Sequence, residues 1–197
     1  MDITLFPSCY LGPISYYSAL LKCQRPVIEK WEHYPKQTYR NRCRIATANK
    51  VMDLTIPIER NGQKTAMCDV KIAYQQDWQR IHWNAIESAY NTSPYFEYFA
   101  DELKGFFERQ ETYLLDFNLK LHEKVCELMQ LQVPLTYSES YEAHITGDDL
   151  REAFSPKKEP APCKPYHQVF ETRYGFQTDL SILDLVLNEG PESYKYL

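Results

Sequence analysis

The sequence predicts a mixed α/β protein, and three patterns carry that reading. The chain opens with a short β-like run, a loop and a helix; a region rich in β-branched and aromatic residues follows; from Asp77 the apolar residues switch to helical spacing. A chain of 197 residues can bury roughly 70% of the surface its unfolded form exposes, so residues 1–197 read as one domain with a substantial core.

Each element has a local reason. ITLF is a strand stopped by Pro7, and Gly12-Pro13 leads into ISYYSALLKC, where Ile14, Tyr17, Leu20 and Leu21 recur at helical spacing. RPVIEKWEHY, the basic stretch after it, VMDLTIPIE and AMCDVKIAY read as about four strands with polar turns such as Asn61-Gly62 between them. In the third of these, Met52, Leu54, Ile56 and Ile58 alternate with Val51, Asp53, Thr55 and Pro57, so the former face is expected to be buried. A helix is predicted from Asp77, its N-cap, with Trp78, Ile81, His82, Ala85, Ile86, Ala89 and Tyr90 on one face and Asn91 and Pro94 ending it. Helices over about 95–110 and 114–131 follow, then a strand at PLTYSESY. Residues 151–165 hold four of the twelve prolines and are expected to form a mobile surface loop, a lid or a simple crossing. A short element at YHQVFETRYGF precedes a final apolar helix, DLSILDLVLN, capped by Thr178 or Asp179, ended by Gly190-Pro191 and expected to dock on the core.

Composition excludes several classes. Mean hydropathy is −0.54, and no run approaches the roughly 18 apolar residues of a spanning helix, so membrane insertion is not expected. The opening residues lack a basic region followed by a long apolar core, which argues against a signal peptide and for a cytoplasmic protein. The six cysteines form no CxxC pair, and the histidines (33, 82, 122, 144, 167) show no HxH or HxxxH spacing, so neither metal nor disulfide framework is indicated. With six glycines there is no Walker A or GxGxxG loop, and no cofactor is implied. Sixteen tyrosines are many, and their amphipathic rings suit polar pockets, stacking surfaces or interfaces.

The charge pattern is the sharpest functional signal. YPKQTYRNRCRI carries Lys36, Arg40, Arg42 and Arg44 without a carboxylate, in a chain of net charge −5. If Gln37 to Ile45 is extended, the three arginines share one face at intervals of about 6.6 Å, a row suited to a diphosphate with an attached sugar. A solvated strand face is the alternative. His82, on the expected buried face of its helix, is either a hydrogen-bonded core residue or a general acid or base, with Asp69 a candidate to orient it. Cys9, in the loop after the first strand, suits either a nucleophile or a buried thiol.

FPSCYLGPISYY, YPKQTYRNRCRI with LTIPIE, the helix carrying Trp78, His82, Ile86 and Tyr90, Asn118, and YHQVF with GFQTDLSILDLVLNEGP together resemble the WbqC-like protein family. Family members often have Gln-Pro where this chain has Phe6-Pro7, and Cys9 is outside the family pattern. The resemblance implies a role in bacterial surface polysaccharide (O-antigen) biosynthesis, as a transferase moving an acyl or aminoacyl (glycine) group onto a nucleotide-linked amino sugar. It also implies a site at Lys36, Asn41, Arg42, His82, Tyr90 and Asn118. Combined with the charge reading, His82 is the expected proton acceptor and Lys36, Asn41, Arg42, Tyr90, Asn118, Arg40 and Arg44 the expected substrate-binding residues. The expected partners are a nucleotide-sugar or other phosphorylated small molecule and an activated acyl donor; an acidic chain with one short basic stretch disfavours nucleic acid. A noncatalytic binding or assembly protein of the same pathway is the alternative.

Overall fold

The structure, a computed structural model, describes residues 3–59, 62, 64–143 and 145–197. The fold is mixed α/β, with strands concentrated early, a helical middle and a late helix in the core. Strands β1 (Ile3–Phe6), β2 (Pro26–Ile28), β5 (Thr136–Tyr137) and β6 (Gly147–Asp149) form a parallel sheet in the order β5-β2-β1-β6. Helix α1 (Ile14–Lys22) makes the β1-to-β2 crossover. Strands β3 (Arg42–Thr47) and β4 (Lys50–Thr55) form an antiparallel hairpin. Helices α2 (Trp78–Tyr90), α3 (Phe96–Glu108) and α4 (Leu114–Leu128) follow, and a short α5 (Glu171–Tyr174) precedes α6 (Ile182–Glu189).

Helix α6 lies at the centre. Every residue from Ile182 to Asn188 is buried, and the helix packs on α1, α3, α4 and β3, as a helix apolar nearly all round must. At its end Gly190 takes φ 56°, and a Cβ there would run into the Tyr95 ring, so glycine is required. Its N-cap is Ser181, whose Oγ accepts from the Leu183 amide at 3.2 Å, and not Thr178 or Asp179. Asp179 serves a different helix: its carboxylate accepts from the Ser15 amide at 2.8 Å and the Ser15 hydroxyl at 3.0 Å, at the start of α1.

Several expectations need correction. The extended basic segment begins only at Arg42, because Gln37 turns the chain with φ 59°. AMCDVKIAY is not a strand: Met67–Asp69 is a 3₁₀ turn, and the flanking amides and carbonyls pair one at a time with Glu32, Lys30, Pro57, Thr112 and Leu114. Such a strap satisfies its backbone without a ladder. Met52 is 41% exposed, because the tip of the β3–β4 hairpin projects beyond the core; Leu54 and Ile56 are buried as expected. Ile81 is 57% exposed and Trp83 takes its place on the buried face of α2. Asp77 makes no side-chain cap and pairs instead with Arg80 at 2.5 Å. Strand β6 went unpredicted, since Gly-Asp-Asp has no strand propensity; it exists because Gly147, at φ 138°, packs against the Ile3 carbonyl where a Cβ would collide. Residues 151–165 are irregular, as expected, but anchored at their start: Arg151 is buried and Phe154 packs on Phe6 and Tyr16. Of the Asn61-Gly62 turn, Asn61 lies outside the described residues, as does His144; Gly62 has φ 74°.

Candidate functional site

The basic segment splits by face. Arg40 precedes β3 and points inward, where its Nε and Nη2 donate to the Glu32 carboxylate at 2.6 and 2.7 Å and Nη2 also reaches the Arg151 carbonyl at 3.0 Å. This is a bidentate, buried ion pair; burial pushes the Glu32 carboxyl up and the Arg40 bonds oppose it. Arg42 and Arg44 lie on the outer face of β3 and share one acid: Arg42 Nη1 donates to Asp53 Oδ2 at 2.9 Å and Arg44 Nε to Asp53 Oδ1 at 3.1 Å. The strand register, Arg44 opposite Asp53, places the carboxylate between them. Arg44 Nη2 also donates to the Pro156 carbonyl at 2.6 Å, while Arg42 Nε is a buried donor without an acceptor. The expected row of three is therefore a row of two, and Arg40 belongs to the interior.

Beside Arg44 a cavity of about 560 Å³ is walled by Asp53, Pro160 and the segment from Phe176 to Leu180. Lys36 is exposed but lines a different cavity, with His33, Lys64, Lys71 and Asp69. The structure thus brings Arg42 and Arg44 together and leaves Lys36 apart from them.

The two candidate asparagines are interior. Asn118, on α4, donates to Ser8 Oγ at 3.1 Å and to the Arg40 carbonyl at 2.8 Å; Asn41 donates to the Ile56 carbonyl at 2.7 Å. Both lack a donor on Oδ1. Asn118 ties the loop after β1 and the entry to the hairpin to α4, and Asn41 joins the two ends of the hairpin. Cys9, in that loop, is buried, and burial pushes its thiol up to about 12, so it is not a thiolate at neutral pH.

His82 is 3% exposed, among Tyr10, Trp78 and Phe107. Tyr10, held protonated by burial, donates its hydroxyl to His82 Nδ1 at 2.9 Å, and the ring also bonds the Thr55 backbone. Burial drives the imidazole down to about 4, so it is neutral. Asp69 does not orient it, since it lines the Lys36 cavity. Tyr90 is likewise committed: its hydroxyl donates to Asp184 Oδ2 at 2.7 Å, with Tyr166 donating to Oδ1 at 2.6 Å. Burial lifts the Asp184 carboxyl to about 6 against these bonds.

The sequence reading missed Glu32, Asp53 and Asp184. Asp184 had a readable signal, a lone carboxylate in ILDLVL; Asp53 could have been found from the hairpin register; Glu32 had none. Among the described residues no cluster of His, Cys, Asp or Glu could hold a metal ion, and no helix is long and apolar enough to cross a membrane.

A parallel four-stranded sheet, an arginine-bearing hairpin and a wholly buried late helix define a mixed α/β domain with polar groups gathered around the loop after β1. By comparison with known families, the chain belongs to the WbqC-like protein family, whose model matches residues 8–155. It is also 24% identical to the uncharacterized protein Rv1507c of Mycobacterium tuberculosis, over 99% of this chain and 96% of that one. No solved structure matches it.

Proposed function

We propose that this protein binds the diphosphate of a nucleotide-linked sugar on the outer face of the β3–β4 hairpin, in bacterial surface polysaccharide assembly. One observation carries the reading: two partly exposed guanidinium groups, Arg42 and Arg44, share the single carboxylate of Asp53 beside an open cavity. Two guanidinium groups against one carboxylate leave a positive charge and unused donors on the hairpin's outer face, which suits an anion with several oxygens; the adjoining wall also carries Asp179, whose carboxylate is engaged by Ser15 and the Ala161 amide. The pathway is part of the proposal and rests on what resemblance to the WbqC-like family implies; the comparisons show the family alone.

The acyl or aminoacyl transfer reading, with His82 taking the amine proton, is second. A neutral ring is the form a base requires, which favours it. A conjugate acid near 4 is nonetheless a poor match to work near pH 7, and the ring is closed from solvent, so binding is the better-supported half. Isothermal titration with a panel of nucleotide-sugars tests it. Arg42→Ala and Arg44→Ala are each expected to weaken binding by about 10- to 100-fold, the scale of one charge-assisted contact. No binding across the panel, or unchanged binding in both variants, sinks the proposal. His82→Ala that folds and retains full transfer activity removes it from catalysis.

A further inference from the structure

The proline-rich segment after β6 borders the arginine face. Pro156 is buried, and its carbonyl accepts from Arg44 Nη2 at 2.6 Å; five residues on, the Ala161 amide donates to Asp179 Oδ2 at 3.2 Å. Arg44, Asp179 and Pro160 all line the cavity beside the hairpin. Residues 157–159 thus form a strap along its rim, fastened at both ends to residues of the cavity wall and exposed between them. Pro156 and Pro160 stiffen the strap by fixing φ.

The cavity as described is one cation short for a diphosphate. Arg42 and Arg44 share Asp53, which leaves the hairpin an excess of one positive charge, and Asp179 in the adjoining wall offsets it. The Ser15 and Ala161 donors satisfy the Asp179 oxygens without removing their charge. An anion with two or more negative charges gains from a further cation close to Arg44.

The strap carries two lysines, and their ammonium groups are placed differently. Lys158 Nζ donates to the Glu152 carbonyl at 2.7 Å and to the Ala153 carbonyl at 3.4 Å, which ties it to the start of the segment. The Lys157 ammonium makes no hydrogen bond or ion pair among the described residues; its backbone amide alone is engaged, by Ser155 Oγ at 3.3 Å. Lys158 and Glu159 cancel in formal charge, so Lys157 is the strap's net contribution. Lys157 is also peptide-bonded to the carbonyl that holds Arg44. Its Cα is therefore fixed within a few bonds of that guanidinium, and its flexible four-carbon stem covers the remaining distance to an anion on Arg44. Two neighbouring cations repel each other, and an anion between them turns the repulsion into attraction.

We infer that Lys157 is the third cation of the diphosphate site, delivered by the strap to an anion held on Arg42 and Arg44. Lys157 lies outside the segment 8–155 matched by the family model, and its role rests on the diphosphate reading.

Isothermal titration of the full chain with inorganic pyrophosphate at low ionic strength tests it, together with lysine acetylation read by mass analysis. Lys157→Gln is expected to weaken pyrophosphate binding by about ten-fold and Lys157→Arg to keep it, while Lys158→Gln shifts it by less than about two-fold. Both lysines are exposed, so these variants are expected to fold. Pyrophosphate is expected to slow acetylation of Lys157 several-fold and to leave that of Lys104, on α3, unchanged. Unchanged affinity in Lys157→Gln beside a loss in Arg44→Ala overturns the role of Lys157 and spares the arginine pair. Equal losses in Lys157→Gln and Lys158→Gln also overturn it, because diffuse charge then accounts for both. No pyrophosphate binding at all overturns the arginine reading and the role of Lys157 with it.

Discussion

Arg40 and Arg42 stand two positions apart in one basic run, yet removing them is expected to have opposite consequences. Arg40→Ala leaves the Glu32 carboxylate buried and alone, a loss of about 3–5 kcal/mol, whereas Arg42→Ala or Arg44→Ala opens a partly exposed pair worth under about 1 kcal/mol. Urea unfolding of the three variants measures the contrast. Sequence could not make this distinction, because alternation identifies a shared face only once the strand's first residue is known, and Gln37 ends the extended register early. The buried histidines add a pH dependence. Burial holds His82 and His122 at about 4, below the ordinary 6.5, so their contribution is present above pH 6.5 and lost as pH falls toward 4. Asp184, lifted from 3.8 to about 6, runs the other way: its contribution is present below 3.8 and lost as pH rises through 6. Two histidines oppose one carboxyl, so the urea midpoint is expected to fall between pH 7 and 5. His122→Phe, which keeps a ring against Tyr17, is expected to fall less; an equal fall in both proteins would refute the assignment.

Elements with a strong period were legible, and those built by partners were not. The apolar faces of α3, α4 and α6 announce themselves in the sequence, and α6 docks as its composition requires. The Met67–Asp69 strap and β6 are different, because their backbone bonds go to residues far away in the chain, which no local pattern encodes. The same limit applies to buried polar groups: Arg42 and Arg44 were visible as cations, while the Glu29–Ser138 bond joins the segments after β2 and β5, more than a hundred residues apart. Capping shows the point at small scale. Ser181 caps α6, and Ser181→Ala is expected to cost about 1 kcal/mol. Asp179, two residues earlier, accepts from Ser15 twice and from the Ala161 amide, so Asp179→Ala is expected to cost more than Ser181→Ala despite lying outside a helix. A thermal unfolding comparison of the two variants decides the order.

Across the whole molecule, the proline-rich segment ties the two sheets together. Arg151 joins the parallel sheet's carboxyl end, and the Pro156 carbonyl receives Arg44 from the hairpin. Lys157 and Lys158, between that contact and the Ala161 amide bonded to Asp179, are exposed. Limited trypsin digestion is expected to cut first after these lysines and to spare Arg151, which is 6% exposed. Mass analysis of the first fragments checks this, and an early cut at Arg151 would contradict the anchoring. The buried α6 carries a further consequence, in time instead of space. As a ribosome lengthens the chain, β1, α1, the hairpin and α2 to α4 emerge before the helix that they enclose. Until residues 182–188 arrive, the side chains of α1, α3, α4 and β3 that will grip it face an unfilled centre. Those apolar contacts therefore stay unmade until α6 emerges, the circumstance in which chaperones that hold open hydrophobic surface act.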